Sequence, residues 1–500
     1  MDFKISKDQT DFIIPEGVTS IGDSAFSGCI GLKSITIPES VTSIGKGAFF
    51  YCTGLTSITI PEGVTNVGSG AFEGTLWYNN LSDGIIYIGK VLYGYKGGMP
   101  TNTEIVVLEG TTSIGSSAFR GCTGLTSITI PEGVTSIGNG AFYGCTGLTH
   151  IPVAANNPNY TTVDGISFDR DKTTLLCYPA GKQGGYTIPE GVTSIEQGAF
   201  RGCTGLTSIV IPEGVTSIGN GAFYGCTGLT HISVAANNPN YTTVDGVLFD
   251  RGKTTLLYYP AGKQGAYTIP EDVTSICDDA FCGCTDLTSI TIPEGVTSIG
   301  ESAFSGCTGL TNLTIPASVT RIGDYAFSNC TGLTNITIPE SVTGIGNYAF
   351  FDCTGLKSIT IPEGVTEIGG SVFARCTGLT SITIPDGVTT IDDYAFSGCT
   401  GLTSITLPEG VTRIGHSAFG NCTGLTSITI PESVTSIGLV AFKGCTGLAS
   451  ITLPKGLTTI GESIFEDCDN LGLIRVPKGM KEKYCEMGLE PWRDLIQELQ

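Results

Sequence analysis

The chain has 500 residues, and its 46 acidic and 25 basic side chains give a formal net charge of −21 at pH 7. This acidity disfavours nucleic acid, which is bound through clusters of Lys and Arg, and it disfavours an anionic membrane surface. We find no run of about 18 apolar residues, so we expect no insertion into a membrane.

The first element in chain order is a partial repeat. Residues 1–14 contain FKISKDQTDFII, which we expect to act as an N-terminal cap that shields the first complete coil. The same segment lacks the apolar core of a secretory signal peptide, so the residues alone predict no export. A location inside the cell is therefore kept as an alternative.

A single motif then recurs along the chain. An Ala-Phe pair, or its Val-Phe or Ile-Phe variant, occurs in sixteen copies between Phe26 and Phe465, and after Phe281 the step is always 23 residues. Three steps are longer, and they mark insertions near residues 75–104, 152–187 and 233–268. We interpret residues 15–476 as one repeat array with three insertions, not as several domains.

Each repeat predicts one strand and one turn. In LTSITIPEGVTSIG the apolar residues alternate with hydroxyl residues, as in a half-buried strand, and Pro ends the strand because it has no N–H to donate. We predict a type I turn over Ile-Pro-Glu-Gly, with Pro second and Gly fourth. Eight apolar positions per coil should face inward, and coils must stack because one coil buries too little to fold alone.

The motif LTSITIPEGVTSIGxxAFxGCTG, with its L-x-x-I-x-I strand signature, resembles the BspA-like leucine-rich repeat class over about residues 12–476. The resemblance implies a mainly β fold: a right-handed curved leucine-rich repeat solenoid with one long parallel sheet. It also implies a surface or secreted protein of the adhesin type. The class has no shared catalytic residues to transfer to this chain.

The insertions are predicted to be β-hairpins and to carry the partner site. In the first, IIYI and VLYGY flank a turn at Gly89-Lys90, and the other two are near copies that contain AANNPNYTTVDG. Identical coils offer a partner many equivalent binding positions, so a specific site should lie where the repeat is interrupted. The candidate contact residues are aromatic and amide side chains, although they could simply cover each hairpin's own core: Trp77, Tyr78, Asn156, Asn157, Tyr160, Asn237, Asn238 and Tyr241.

Fifteen of the nineteen cysteines occupy one repeat position, three residues after the Phe. Cys behaves as a small buried hydrophobe, so we predict an inner ladder of free thiols, which suits a reducing or anoxic setting. Cys277, Cys282 and Cys284 are a weak candidate for a metal site or a disulfide, and no paired C-x-x-C zinc spacing occurs.

No catalytic, cofactor or metal site is predicted. His150 and His231 are the same position in two near copies, and His416 lies in a variable loop. The Glu that follows most repeat prolines forms a carboxylate row that could attract Ca²⁺, but no calcium-loop spacing accompanies it. Solvated acidic side chains are the simpler interpretation of that row.

The chain ends in KGMKEKYCEMGLEPWRDLIQELQ, where Trp492, Leu495, Ile496 and Leu499 follow helical spacing. We predict a small helical C-terminal cap over residues 477–500. The sequence as a whole predicts a monomeric, non-enzymatic binding or adhesion scaffold for a protein or glycan partner. The alternatives are a cytoplasmic protein–protein interaction scaffold and, more remotely, a structural or ice-binding-like Ser/Thr ladder.

Overall fold

The computed structural model describes residues 10–499, so most of the predicted N-terminal cap lies outside the described residues. The chain divides into two compact units, Met1–Gly228 and Leu229–Gln500, and each is described by itself. Both are built almost entirely from short parallel strands, which confirms the predicted mainly β solenoid.

The LTSITI-type segments form the predicted column of parallel strands, which we call the long column. Neighbouring coils pair in register one repeat apart, as in Ser34 with Ser57 and Ser404 with Ser427. In the first unit its strands are Asp11–Ile13, Ser34–Thr36, Ser57–Thr59, Thr103–Val106, Leu125–Thr129, Gly184–Thr187 and Leu206–Ile211. In the second unit they are His231–Val234, Gly265–Thr268, Leu287–Thr291, Asn312–Thr314, Asn335–Thr337, Ser358–Thr360, Ser381–Thr383, Ser404–Thr406, Ser427–Thr429, Ser450–Thr452, Leu473–Val476 and Ile496–Glu498.

The two residues that end at the Ile or Val after each turn, often Ser-Ile, form a second column of two-residue strands, the short column. Its members also pair in parallel, as in Ser298 with Arg321. In the first unit they are Ser20–Ile21, Ser43–Ile44, Asn66–Val67, Ser113–Ile114, Ser136–Ile137, Ser194–Ile195 and Ser217–Ile218. In the second unit they are Ser275–Ile276, Ser298–Ile299, Arg321–Ile322, Gly344–Ile345, Glu367–Ile368, Thr390–Ile391, Arg413–Ile414, Ser436–Ile437 and Thr459–Ile460.

The turn between the two columns begins one residue later than predicted. The Val134 N–H donates to the Pro131 carbonyl at 3.4 Å, so Pro is the first residue of the turn and Gly133 the third. The prediction of Pro at the second position was therefore wrong. Where Ser replaces this Gly, its hydroxyl bonds the preceding coil: Ser341 donates to the Val319 carbonyl at 2.7 Å.

The eight predicted inward positions are buried. One regular coil is representative, with every member at most 7% exposed: Leu402, Ile405, Leu407, Val411, Ile414, Ala418, Phe419 and Cys422. From Phe281 to Phe465 the phenyl rings of successive coils stack with centroids 4.9–5.8 Å apart. Stacking of identical coils thus places identical apolar side chains on top of one another.

The cysteine ladder gives Phe carbonyl groups a second donor, beside the backbone N–H of the Cys in the same coil. From Cys307 to Cys468 each thiol donates to the carbonyl of the Phe 26 residues earlier, at 3.0–3.1 Å. The nineteen cysteines are unbridged thiols, and all fifteen ladder members are buried except the half-buried Cys29. Burial raises the pKa of the Cys376 and Cys468 thiols to about 12. The predicted inner ladder of free thiols is confirmed.

Two loop positions in each coil have left-handed backbone, one just before the Ala-Phe pair and one just before the Cys. Gly is favoured there because it lacks a Cβ, but many coils place another residue type at these positions. The most strained example is Val440, with φ 49°, since a β-branched residue tolerates this region poorly.

The insertions attach to the short column. The predicted first hairpin consists of Gly84–Ile88 and Val91–Lys96, and its second strand continues the column beside Ser113–Ile114. Each longer insertion forms three antiparallel strands, of which the last takes the short-column place in its coil. These strands are Tyr160–Val163, Ile166–Asp169 and Thr174–Cys177 in the first unit, and Tyr241–Val244, Val247–Asp250 and Thr255–Tyr258 in the second.

The C-terminal cap is helical over a shorter range than the apolar spacing predicts. An α-helix over Lys481–Tyr484 leads into a wider helical turn, Cys485–Leu489, and a 3₁₀-helix, Glu490–Leu495. Trp492 covers the last ladder ring, Phe465, edge-on at 5.7 Å. Residues Ile496–Glu498 instead form a strand beside Leu473–Val476, because the last carbonyl and amide groups of the long column need a partner.

Candidate functional site

Both insertions of the first unit open clefts beside the loops that precede and follow the Ala-Phe pair. The first cleft has a volume of about 930 Å³. Its lining includes aromatic and basic side chains from four different coils: Lys46, Phe50, Tyr78, Tyr93, Tyr95 and Arg120. The cleft forms because the hairpin Gly84–Ile88 and Val91–Lys96 replaces a regular loop.

A one-turn helix, Leu76–Asn79, positions two of the predicted site residues beside this cleft. Thr75 caps the helix by accepting from the Tyr78 N–H at 3.1 Å. Trp77 packs edge-on against the core ring Phe72, with centroids 5.1 Å apart, so most of its indole covers the core. Tyr78 packs against Tyr93 and lines the cleft, and burial raises the pKa of its phenol.

The second insertion of the chain borders a cavity of about 440 Å³. Its walls combine aromatic rings with neutral and charged polar groups, among them Asn139, Tyr143, Tyr160, Glu196, Gln197 and Arg201. Asn139 donates to the side-chain oxygen of Gln197 at 3.3 Å across the wall. The phenol of Tyr160 donates to the Thr135 carbonyl at 3.1 Å, which fixes its ring at the edge of the cavity.

Asn157 holds the insertion onto the preceding coil and is fully buried. Its amide nitrogen donates to the Pro131 carbonyl at 2.9 Å and to the Val134 carbonyl at 2.8 Å. Its oxygen accepts from the N–H groups of Asn159 and Tyr160 at 2.9 and 2.8 Å. A side chain with these four bonds is a structural clamp and cannot be presented to a partner, whereas the adjacent Asn156 is exposed.

The near copy in the second unit repeats this arrangement. Asn238 is fully buried, and its side-chain oxygen accepts from the N–H groups of Asn240 and Tyr241 at 3.0 and 2.8 Å. Asn237 is exposed and Tyr241 is half-buried. Of the two predicted amide pairs, Asn156 and Asn237 thus remain candidates for contact, and the structure corrects the assignment of Asn157 and Asn238.

A column of alternating arginine and tyrosine side chains joins the first cleft to the cavity. We call Arg120, Tyr143, Arg201 and Tyr224 the Arg–Tyr column. The Arg120 guanidinium carbon lies 5.3 Å from the Tyr143 ring centroid. The Arg201 guanidinium lies between two rings, 4.2 Å from the Tyr143 centroid and 4.7 Å from that of Tyr224. Because Arg120 lines the cleft and Arg201 the cavity, the two openings share one continuous surface.

This column was not predicted from the sequence, although the sequence contains a signal for it. All four residues directly follow a ladder Phe, where the chain reads FRG, FYG, FRG and FYG in successive copies. Residues at one repeat position stack in space, so alternation of Arg and Tyr at that position indicates cation–π contacts. The long interval to Arg201 conceals the alternation, because the insertion makes one step much longer than the others.

The regular coils of the second unit carry a second exposed aromatic group. Tyr325 and Tyr348, both with left-handed backbone, stack with centroids 4.6 Å apart. Arg375 lies 5.7 Å from the Phe351 ring centroid and also pairs with Asp352 at 3.6 Å. This Arg is therefore already neutralised by a carboxylate of its own chain.

The described residues supply little for acid–base or metal chemistry. Within residues 10–499 no group of three or more His, Cys, Asp or Glu side chains is placed to hold a metal ion. The cavity contains Cys177, but burial raises the pKa of its thiol to about 12, so the reactive thiolate is scarce near neutral pH. His150 bonds Thr149 and His231 bonds Ser233, both neighbours in sequence. No helix among the described residues has the length and apolar content needed to cross a membrane.

Stacked parallel coils with an inward Leu-Ile-Ile-Val-Ile-Ala-Phe-Cys pattern define a leucine-rich repeat solenoid. The family model for the BspA type leucine rich repeat region matches residues 2–96, 98–172, 180–253, 257–380 and 366–484. The chain therefore belongs to the BspA type leucine-rich repeat family.

Solved structures of bacterial repeat proteins resemble this chain. A leucine-rich repeat protein from Bacteroides ovatus is 27% identical, covers 85% of this chain and 100% of its own, and has a TM-score of 0.43. One from Eubacterium ventriosum is 28% identical, with 71% and 80% coverage and a TM-score of 0.35. A leucine rich cell surface protein from Faecalibacterium prausnitzii is 28% identical, with 84% and 87% coverage and a TM-score of 0.34. No curated protein matches the chain.

Proposed function

We propose that this protein is a non-enzymatic binding scaffold that presents the first cleft, the Arg–Tyr column and the cavity to a protein or glycan partner in adhesion. The observation that carries the proposal is the coincidence of these openings with the interruptions of the repeat. The strands of the regular coils repeat the same small hydroxyl groups, whereas the openings beside the interruptions gather aromatic and guanidinium groups of the kind that contribute most to interfaces. We propose residues 15–476 as the solenoid that supports this surface.

The proposed setting is the cell surface or the extracellular space, in line with the family resemblance. The nineteen unbridged thiols favour a second candidate, an interaction scaffold in a reducing compartment. Treatment of intact cells with an added protease distinguishes the two. A surface protein kept reduced under anoxia would be accessible to an added protease, whereas an internal scaffold would not.

The binding role is tested with the full chain on arrays of extracellular matrix proteins and glycans, and by capture of partners whose binding is then confirmed with purified components. The site variant is Phe50→Ala with Arg120→Ala, since both side chains are exposed and line the first cleft. The matched control is Tyr325→Ala with Arg375→Ala in the regular coils. We expect the site variant to lose binding and the control to keep it. Loss of binding by the control variant and not by the site variant would place the partner site in the regular coils. If no ligand is found, the adhesion role is contradicted.

A further inference from the structure

We propose that Arg201, held between Tyr143 and Tyr224, receives the carboxylate of an acidic saccharide whose sugar ring enters the neighbouring cavity. This inference rests on the proposed binding function and names its ligand class.

The stacking geometry leaves the hydrogen-bonding edge of Arg201 available. Its guanidinium carbon is 4.2 and 4.7 Å from the two ring centroids, so the group is held between the two rings. The N–H donors of a guanidinium lie in its plane, and the side chain of Arg201 is exposed to solvent. A guanidinium that is already held in place loses less conformational freedom when it binds a carboxylate through two parallel hydrogen bonds.

The charge of Arg201 has no partner within the described residues. Among residues 10–499 the ion pairs involve Arg375, Arg413, Lys443 and Arg493, and neither Arg120 nor Arg201 takes part in one. Arg201 is therefore a positive charge without an ion-pair partner on a chain whose net charge is −21. It favours a ligand with a single negative group, because a polyanion would be repelled by the surrounding carboxylates.

The cavity beside Arg201 has the mixed lining that a sugar ring requires. Tyr160 supplies aromatic surface for the C–H face of a pyranose, while Asn139 and Gln197 supply amide donors and acceptors for hydroxyl groups. Glu196, which is exposed at the same wall, can accept from further hydroxyls but would repel a second carboxylate. Its volume of about 440 Å³ lies in the range of sites for compact small ligands.

The near copy 81 residues further along the chain shows that the fold does not require this arginine. There Tyr160 is matched by Tyr241 and Asn157 by Asn238, so the structural positions are retained. Arg201, however, is matched by Cys282, which is buried, and Cys177 by the larger Tyr258, also buried. A coil with the same ladder thus folds with a small apolar side chain at this position, so the fold does not require the guanidinium of Arg201.

The test uses the full chain and two probes that differ only at C6, methyl β-glucuronide with its carboxylate and methyl β-glucoside with its hydroxymethyl group, and binding is followed by ligand-observed NMR and calorimetry. We expect the glucuronide to bind about tenfold or more tightly than the glucoside, as two charge-assisted hydrogen bonds allow. Arg201→Gln should abolish this preference. Arg201→Lys should keep the positive charge but retain only part of the preference for the glucuronide, because an ammonium group cannot bind a carboxylate through two parallel hydrogen bonds. Arg321→Gln, an exposed strand arginine of the second unit, is the control and should change nothing.

Thermal unfolding of each variant checks that the fold is intact. Equal binding of the two probes, or a preference that survives Arg201→Gln, overturns the proposal. An Arg201-dependent affinity for a short Asp-containing peptide that exceeds that for the glucuronide also overturns it, since the ligand class would then be an acidic peptide. If the arrays reveal a partner whose binding ignores both the carboxylate and Arg201, the binding function stands and this inference fails. If neither probe nor any array ligand binds, both fail.

Discussion

Replacement of Asn157 by Ala should destabilise the first unit strongly, although the residue looks like a surface amide in the sequence. The side chain is fully buried and makes four hydrogen bonds of 2.8–2.9 Å, two accepted and two donated. At a net value of about 1 kcal/mol for each bond, the substitution should cost roughly 4 kcal/mol. The loss is local, because Asn157 fastens the insertion to the Pro131–Val134 turn of the preceding coil.

Urea unfolding measures the total cost, and hydrogen exchange locates it. We expect faster exchange in residues 131–163 of the Asn157→Ala variant, with little change in the regular coils of the second unit, since repeat proteins couple mainly between neighbours. The chain offers an adjacent control in Asn156→Ala, which removes an exposed amide and should alter stability by no more than about 0.5 kcal/mol. Equal unfolding free energies for the two variants would refute the clamp.

Three further predictions follow from the ladders and loops. Stability should fall as pH rises from about 9 towards 12, because burial raises the pKa of Cys376 from 9.0 to about 12 and only the unfolded chain releases the thiol proton in that range. The free energy of unfolding should fall by up to about 1.4 kcal/mol per pH unit for each titrating thiol. Urea unfolding at several pH values measures this loss, and a flat profile from pH 9 to 11 would contradict it. Val440→Asn should raise the free energy of unfolding by about 0.5–1 kcal/mol, because Asn tolerates the left-handed backbone better than Val does. The control Leu439→Asn, at the neighbouring exposed position, should not raise it. A lower free energy of unfolding for Val440→Asn would show that backbone strain at this position is not significant. Ser341→Ala should cost about 1 kcal/mol through loss of the bond to the Val319 carbonyl, and Ser341→Gly, which restores the common repeat residue, serves as its comparison in thermal melts.

The fold could be predicted almost entirely from the sequence because one period dictates every coil. The 23-residue step fixes which side chains stack, so the burial of Phe419 and Cys422 follows from the position of their equivalents. The turn register was wrong by one residue, since Pro is acceptable at more than one turn position and the sequence alone does not choose between them. The C-terminal helix was predicted too long, because the spacing of apolar residues does not reveal that the open strand Leu473–Val476 needs a partner.

The sequence could predict where the repeat is interrupted, whereas the role of these places as a partner site stays a prediction. The insertions do open the cleft and the cavity, and Tyr78 and Tyr160 line them. Asn157 was misassigned because its residue type gives no indication that it reaches back to a turn 23 residues earlier. Arg201 was missed because its partner Tyr143 is 58 residues away in sequence, and only the three-dimensional stacking of the coils brings the two together.

The thiol bonds have a consequence for how the gene can change. Each regular cysteine bonds a carbonyl 26 residues earlier, and each Ser at the turn bonds one 22 residues earlier, so every such bond ends in the adjacent coil. Removal or addition of one whole 23-residue unit within the regular stretch would therefore leave each donor with an equivalent acceptor. Near-identical repeats are also the substrate on which misaligned recombination acts. Chain length in this protein is thus open to rapid genetic adjustment, while the interrupted region with its single Arg201 would be duplicated or lost only as a larger block.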